Sequence, residues 1–352
     1  ITGGGGVGKS HLISNITTPN TVVVAPTGIA ALNVNGSTAH KMFKLPMGIP
    51  DGNDRHMIPR QLYDLFGNGS CVDRIVFDEI SMLRPDYFDL IDSRLKRVRK
   101  NNEPFGGIQA VVVGDFFQLE SIVSNAEHKH FYDLYDSPFA FSANCWDFPT
   151  IELSFVHRQS DERQIKMLNS IRKGDKWSEL ALDNIQKEAA IYRYDTDVLH
   201  LCTTKASASA INQYWFEKQE GTSKKYYAKF QGKEDNNTYP VGDVVELKIG
   251  SKVLICANDQ EGTYVNGMRG EVLEMATEYV VVKLTSGAIV YVQPFTWEKI
   301  GYSTASGTLT KEVEASMTQI PLLLGYAITV HKSQGMTLDE LALDIGSGCF
   351  AH

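Results

Sequence analysis

The sequence predicts an α/β fold: two parallel-sheet units, with a small antiparallel barrel inserted in the second. Three observations predict it. Residues 21–25, 75–77 and 110–113 are short, β-branched apolar runs without polar alternation, as in strands buried on both faces of a parallel sheet. Each run ends in a polar or Gly/Pro element, Pro26-Thr27-Gly28, Asp78-Glu79 and Gly114-Asp115, and ligand sites in open α/β sheets gather at such carboxyl ends. Between about 241 and 300 the apolar period becomes two, with Val280, Val282 and Leu284, then Ile289 and Tyr291, separated by turns at Asn266-Gly267 and Ser286-Gly287.

The elements follow in order. Residues 3–10 read GGGGVGKS, the G-x-x-x-x-G-K-[ST] spacing of a phosphate-binding loop. Its glycines let the backbone curl so that N–H groups face phosphate oxygens. A helix over about 10–16 then points its positive end at the same anion. Such a loop follows a strand, yet only Ile1 and Thr2 precede it, so the chain is expected to be a fragment without its natural start. Residues 44–70, rich in Gly, Pro and Asp, read as an irregular excursion. Over 86–100, Phe88, Ile91, Leu95 and Val98 share one helical face, and Pro85 suits the first turn. A second unit is expected to open near Ile151 and to contain the apolar runs 198–202, 322–329 and 341–343. The expected division is therefore 1–150, then 151–240 with 301–352, and a barrel over 241–300.

Composition narrows the class. The 352 residues are 43% hydrophobic and 22% charged, ordinary for a globular chain of two or three domains. No apolar run approaches the ~20 residues of a membrane span. Cys71, Cys145, Cys202, Cys256 and Cys349 form no C-x-x-C pair and read as reduced core thiols. The net charge of -8 argues against general polyanion binding. It leaves room for a local nucleic-acid track, because backbone N–H and hydroxyl groups also grip phosphates.

Candidate chemistry converges on phosphoryl transfer. Lys9 can reach the β- and γ-phosphates, and the Ser10 hydroxyl can ligate Mg²⁺. Asp78 can hold the same metal through water, and Glu79 can orient and deprotonate an attacking water. Gln118 can hydrogen-bond a γ-phosphate and release it with the phosphate. Arg158 can supply a guanidinium to that phosphate. The bland readings are a solvated strand end, a loop glutamine and a surface arginine; the shared metal–phosphate unit weakens them.

Taken in order, GGGGVGKS, APTGIAA, STAH, FDEISM, GDFFQL, VHRQ, LCTTK and VHKSQGMT resemble the motif series of superfamily-one DNA helicases of the 5′ to 3′ branch. Arg94, Arg97 and Arg99 followed by PFGGIQAVVVGDFF, together with YVNGMRG and YAITVHKSQGMT, resemble the Pif-type (petite integration frequency) helicases, with a RecD-like helicase as a relative. The resemblance covers nearly the whole chain. It implies two RecA-like parallel-sheet domains with a small β-barrel inserted in the second, closing on Mg-ATP, and a motor that translocates on single-stranded DNA and unwinds forks. G-quadruplex and RNA–DNA hybrid are further candidate substrates, and a monomeric motor is expected.

The resemblance also implies residue roles. Gly3, Gly4, Gly5, Gly6, Val7, Gly8, Lys9 and Ser10, with Gln334 and Gly335, would bind ATP. Asp78 would hold Mg²⁺ with Ser10, Glu79 would act as base, and Gln118 and Arg158 would contact the γ-phosphate. Thr27, Gly28, His40, Phe43, Thr203, Lys205, His331, Lys332 and Ser333 would line the DNA track. The basic run 94–100 reads as a solvated helix face, with DNA contact as the second reading. An intracellular location is implied: nucleus or mitochondrion in a eukaryote, cytoplasm in a bacterium or virus.

Two departures stand out. Glu120-Ser121 replaces the two prolines the family places after GDFFQL. The sequence also ends before the expected final arginine motif and lacks the adenine-reading glutamine segment, so residues 1–352 alone are expected to hydrolyse ATP poorly. The rivals are another nucleotide switch, for which no N-K-x-D or LSGGQ segment is present, and a nucleotide-regulated DNA-binding protein with a decayed helicase core.

Overall fold

The computed structural model describes residues 1–51, 53–54, 57–157, 161–188, 198–232, 239–259, 261–334, 336, 338 and 340–344. Arg158 and Gly335 lie outside this set. The chain forms two compact units, Ile1–Ala189 with Lys299–Glu314, and Ala190–Glu298 with Ala315–His352. The helices of 162–188, placed by sequence after the change of domain near 151, are counted with the first unit.

In the first unit, strands β1 (Thr21–Ala25), β2 (Ser37–Thr38), β3 (Arg74–Phe77) and β4 (Gln109–Val112) form a parallel sheet of order β2-β1-β3-β4. Thr2 extends it through parallel bridges to Gly114 and Glu152. All five residues of β1 are buried, which is why its run carries no polar alternation. Around the sheet stand helices α1 (Lys9–Ile16), α2 (Gly28–Asn33), α3 (Ala39–Phe43), α4 (Arg60–Phe66), α5 (Pro85–Arg99), α6 (His128–Tyr132), α7 (Glu162–Lys173) and α8 (Ser178–Glu188).

Helix α5 follows the expected pattern. Pro85 opens it, Asp86 lies in its first turn, and Lys96, Arg97 and Arg99 lie in its last, each favourable to the helix dipole. Lys100 ends it in a left-handed conformation. Phe88, Ile91, Leu95 and Val98 all enter the main core.

Three expectations are corrected here. Residues 44–70 are not wholly irregular, because α4 buries Leu62, Leu65 and Phe66 in the same core. Phe43 is fully buried and stacks with Phe66 and Phe77, so its ring belongs to the core and does not line a DNA track. The run 94–100 is not a solvated face throughout. Arg94 is 3% exposed and donates to the carbonyls of Phe43, Lys44 and Asp54, and Arg99 donates to Val72 O. These guanidiniums satisfy carbonyls that the helix end and loops leave unpaired.

Residues 299–314 pack on the same unit. Val23 N donates to the Tyr302 hydroxyl at 3.0 Å, and that hydroxyl lies 3.4 Å from Val23 O as its donor. Strand β2 pairs with β1 only from Val24 onward, so a side chain replaces the missing strand partner at Val23. Tyr302 itself is buried in the main core.

The second unit holds a parallel sheet of β5 (Leu199–Cys202), β16 (Ala327–Thr329) and β17 (Leu341–Asp344), in the order β16-β5-β17. Between them in sequence run β6 (Lys224–Tyr227), β7 (Lys229–Gly232), β8 (Val244–Leu247), β9 (Lys252–Ile255), β10 (Arg269–Met275), β11 (Val280–Leu284), β12 (Ile289–Val292), β13 (Phe295–Ser303), β14 (Thr310–Gln319) and β15 (Leu322–Leu324). The order β12-β11-β10-β9-β15 is a five-stranded sheet whose neighbours are antiparallel. The single apolar run expected over 322–329 is therefore two strands in two sheets. The switch falls at Gly325, where a Cβ would come within 2.6 Å of Val253 C, an approach only glycine allows. Helices α9 (Lys205–Lys218) and α10 (Val330–Ser333) complete the described elements used below.

Replacing Tyr302 by Phe leaves Val23 N–H buried without its acceptor. The expected loss is about 1–3 kcal/mol, read as a lower urea midpoint with an unchanged slope; an unchanged midpoint would mean the hydroxyl is dispensable.

Candidate functional site

The register of the first sheet builds the site. Val24 lies beside Phe77 and Phe77 beside Val112, so these strands release their chains at one edge. There the segments 3–10, 26–28, 78–79 and 114–118 meet.

The loop closes tightly against its surroundings. A Cβ at Gly3 would come within 2.5 Å of Leu153 O. Gly8 caps α1 at φ 91°, in the left-handed region, which favours glycine. His157 N donates to Gly6 O at 2.9 Å. Val7 is buried, while Ser10 in the first turn of α1 is exposed. Lys9 Nζ donates to the carbonyls of Gly3 and Gly4 at 2.8 and 2.9 Å. Burial lowers its pKa, with Asp115, Glu79 and Asp78 acting to raise it and Arg172 to lower it further.

Asp78 and Glu79 follow β3 directly. Asp78 N donates to Val24 O, and Ile80 N donates to Val113 O, which clamps the dipeptide between two strand ends. Glu79 consequently sits at φ 48°, ψ 45°, a left-handed conformation of the kind that costs roughly 1–3 kcal/mol and collects at functional sites. Burial pushes both carboxyls up. Glu79 reaches about 7, with the neighbouring Asp78 charge adding to the burial effect and Lys9 opposing it.

Asp115 goes the other way. Its side chain is wholly buried, and burial would raise its pKa, but hydrogen bonds from Arg172 and Gln118 outweigh that and hold it below the ordinary value. Gln118 Nε2 donates to Asp115 Oδ2 at 2.9 Å. The Arg172 guanidinium donates to both carboxylate oxygens.

Three carboxylates, Asp78, Glu79 and Asp115, thus act on Lys9 alongside a second cation, Arg172. Among the described residues no group of three or more His, Cys, Asp or Glu side chains could hold a metal by itself. A hard cation at this edge would take its protein oxygens from Ser10 and Asp78 and its remaining ligands from phosphate and water, as Mg²⁺ commonly does.

The other expected residues fall at comparable strand ends. Thr27 and Thr38 cap α2 and α3 through side-chain oxygens that accept from Ala30 N and Lys41 N, with Gly28 opening α2. His40 packs edge-on against Tyr87 at 4.8 Å, and burial together with the Arg84 charge lowers its pKa, favouring the neutral ring. In the second unit Thr329 lies beside Cys202 in the parallel ladder. Thr203 and Lys205 therefore emerge next to His331, Lys332 and Ser333. Burial lowers the pKa of His331 and of Lys332, and Lys205 acts on both. Ser333 Oγ donates to Val330 O. Gln334 follows in a turn.

Sequence reasoning assigned no role to Asp115 or Arg172. Asp115 was visible as a polar residue after a strand. Arg172 carried no signal, since it lies in a helix outside every motif.

Comparison with known proteins accords with this arrangement. Residues 1–184 match the model of the PIF1-like helicase family. The chain is 30% identical to the ATP-dependent DNA helicase PIF1 of Rattus norvegicus, over 98% of this chain and 54% of that protein. It is 29% identical to the ATP-dependent DNA helicase Pif1 of Bdellovibrio bacteriovorus, over 98% of this chain and 77% of that protein. It therefore spans about half the length of the vertebrate relatives it matches. The crystal structure of Bacteroides sp Pif1 in complex with ADP-AlF4 superposes with a TM-score of 0.89 at 32% identity, covering 98% of this chain and 81% of that one. The sheet order, the loop at its edge and these matches together place the chain in the PIF1-like helicase family.

Proposed function

We propose that this chain is the motor core of an ATP-dependent DNA helicase, a Mg-ATP hydrolase that translocates 5′ to 3′ on single-stranded DNA and unwinds forks. One observation carries the reading: the phosphate loop, the Asp78-Glu79 pair and Gln118 meet at one edge of a parallel sheet. The two parallel-sheet units are read as RecA-like domains. The antiparallel sheet of β9 to β12 with β15 is read as the small inserted barrel.

The chemistry follows from the residues. Lys9 exchanges the loop carbonyls of Gly3 and Gly4 for phosphate oxygens when nucleotide enters. Glu79 is the base that takes a proton from the attacking water, and a carboxylate with a pKa near 7 suits that task. Gln118 contacts the γ-phosphate. Mg²⁺, held by Ser10 and Asp78, would neutralise charge on the phosphates. Arg158, in the segment after His157, is assigned the guanidinium contact by resemblance alone. The adenine side of the site and the roles of Gln334 and Gly335 rest on the same footing.

Thr27, Gly28 and His40 in the first unit, and Thr203, Lys205, His331, Lys332 and Ser333 in the second, are assigned to the sugar-phosphate track. Hydroxyls, helix starts and lysines grip a strand without reading its bases. Support comes from relatives: Bacteroides Pif1 has been crystallised bound to single-stranded DNA, and a further Pif1 structure concerns unwinding at forked duplex DNA by two coordinating helicases. Among the described residues no helix is long and apolar enough to cross a membrane. An intracellular setting fits this reading. G-quadruplex and RNA–DNA hybrid remain candidate substrates, and action as a monomer is part of the proposal.

Two measurements test this reading. Forked duplexes carrying only a 5′ or only a 3′ tail should be unwound from the 5′ tail, with Lys9→Ala abolishing unwinding while sparing nucleotide-free DNA binding. Unwinding by the Lys9→Ala chain would sink the motor assignment. Because Glu79 must be ionised to accept a proton, kcat/KM for ATP hydrolysis should rise with pH through about 7. Glu79→Gln should lower kcat by about 10²–10⁴-fold, and its residual profile separates the titration of the nucleotide from that of the base. A profile in the native chain no steeper than that of Glu79→Gln would remove Glu79 from the role.

A further inference from the structure

Asp115 carries more contacts than a strand-end carboxylate needs. Its Oδ1 accepts from Arg172 Nη2 at 2.7 Å, Arg172 Nε at 3.1 Å and Phe117 N at 3.2 Å. Its Oδ2 accepts from Arg172 Nε at 2.9 Å and Gln118 Nε2 at 2.9 Å. The backbone tightens the same turn, with Gln118 N donating to Asp115 O at 3.0 Å. With Asp115 wholly buried, a carboxylate there persists only while a cation stays beside it. Arg172 is the cation hydrogen-bonded to it.

Arg172 also lies over a second residue of the same loop and beside the phosphate loop. Its guanidinium lies over the Phe117 ring, 4.7 Å from the centroid. A Cβ on Gly4, inside the phosphate loop, would lie 3.8 Å from Arg172 Nε. The arginine comes from the last turn of α7, which Asp161 caps at its start and Gly174 at its end. One side chain therefore ties a helix to the loop 114–118, at a place next to the phosphate loop.

We propose that Arg172 is a positioning residue for Gln118, acting through Asp115 to aim the glutamine amide at the γ-phosphate. This rests on the nucleotide-hydrolysing reading above. The amide nitrogen carries two hydrogens; donating one to Asp115 sets the direction of the other. The fork geometry matters because two parallel donors fix the carboxylate plane, which a point charge cannot do. Without Arg172 the carboxylate loses the two-pronged contact that fixes its plane and no longer holds the amide in one orientation.

The test is equilibrium binding of ADP and of a non-hydrolysable ATP analogue, each with Mg²⁺, to the full chain. Arg172→Gln should weaken analogue binding on the order of 10-fold, the scale of one charge-assisted hydrogen bond, and leave ADP binding within about twofold. Gln118→Ala should do the same. The double variant should bind the analogue no more weakly than Gln118→Ala alone, because one interaction has been removed twice. Arg172→Lys keeps the charge without the fork and should lose part of the analogue preference. It also carries the test if Arg172→Gln does not fold.

Parallel loss of ADP and analogue binding would make Arg172 a fold-holding residue and overturn the inference. So would an equal further loss from Arg172→Gln in the Gln118→Ala background, which would mean direct phosphate contact. A native preference for the analogue that Gln118→Ala removes but neither Arg172 variant alters would defeat the inference alone. A native chain that binds neither nucleotide would defeat the function proposed above, and this inference with it.

Discussion

The candidate site depends on the parallel register of β1, β3 and β4. Thr21 pairs with Arg74 and Arg74 with Gln109, and the ladder stays in step to Phe77 and Val112. Strands running the same way and in register must release their chains at one edge. Each releases a polar segment there, and Thr2, bridged to Gly114, delivers the phosphate loop to the same place. The ladder is held by buried β-branched and aromatic side chains. Tyr302, contributed from residues 299–314, accepts from Val23 N in the part of β1 that β2 is too short to reach. The precision of the site is thus a property of packing some distance behind it.

Electrostatics then separate the acidic residues by environment. Asp78, Glu79 and Asp115 all lose water, yet their environments push them apart. Glu79 sits beside another carboxylate and rises to about 7, while Asp115 is gripped by a guanidinium and falls. Such separation of like groups is how one pocket holds both a proton acceptor and a fixed anion. The left-handed backbone at Glu79 belongs to the same arrangement, because the strand-end hydrogen bonds on either side leave that residue no relaxed alternative.

Much of this was legible in sequence. Asp78-Glu79 directly follows the buried strand β3, Gln118 lies in the loop after β4, and the phosphate loop follows the bridged Thr2, so each sits near a strand end that an apolar run marks. The limits of β1 match residue for residue, and those of β3 and β4 shift by one. The failures share a cause. Phe43 was expected to line a DNA track and Arg94 stands in a basic run, yet one stacks in the core and the other feeds buried carbonyls. Residues 322–329 form a continuous apolar run, but a steric demand at Gly325 breaks it between two sheets. A local pattern reports what a residue prefers, not which neighbour from far along the chain will meet it.

Sequence alone determined which polar side chains this chain offers beside its strand ends, and which strands would bring them to one edge. Spacing carries that information because the chemistry lies within a few residues of each strand end. Tertiary structure decided how those residues behave. The pKa of Glu79, the grip of Arg172 on Asp115 and the burial of Phe43 and Arg94 all arise between residues far apart in the chain. Desolvation and hydrogen-bond geometry depend on distance in space, and no reading of order along the chain supplies it.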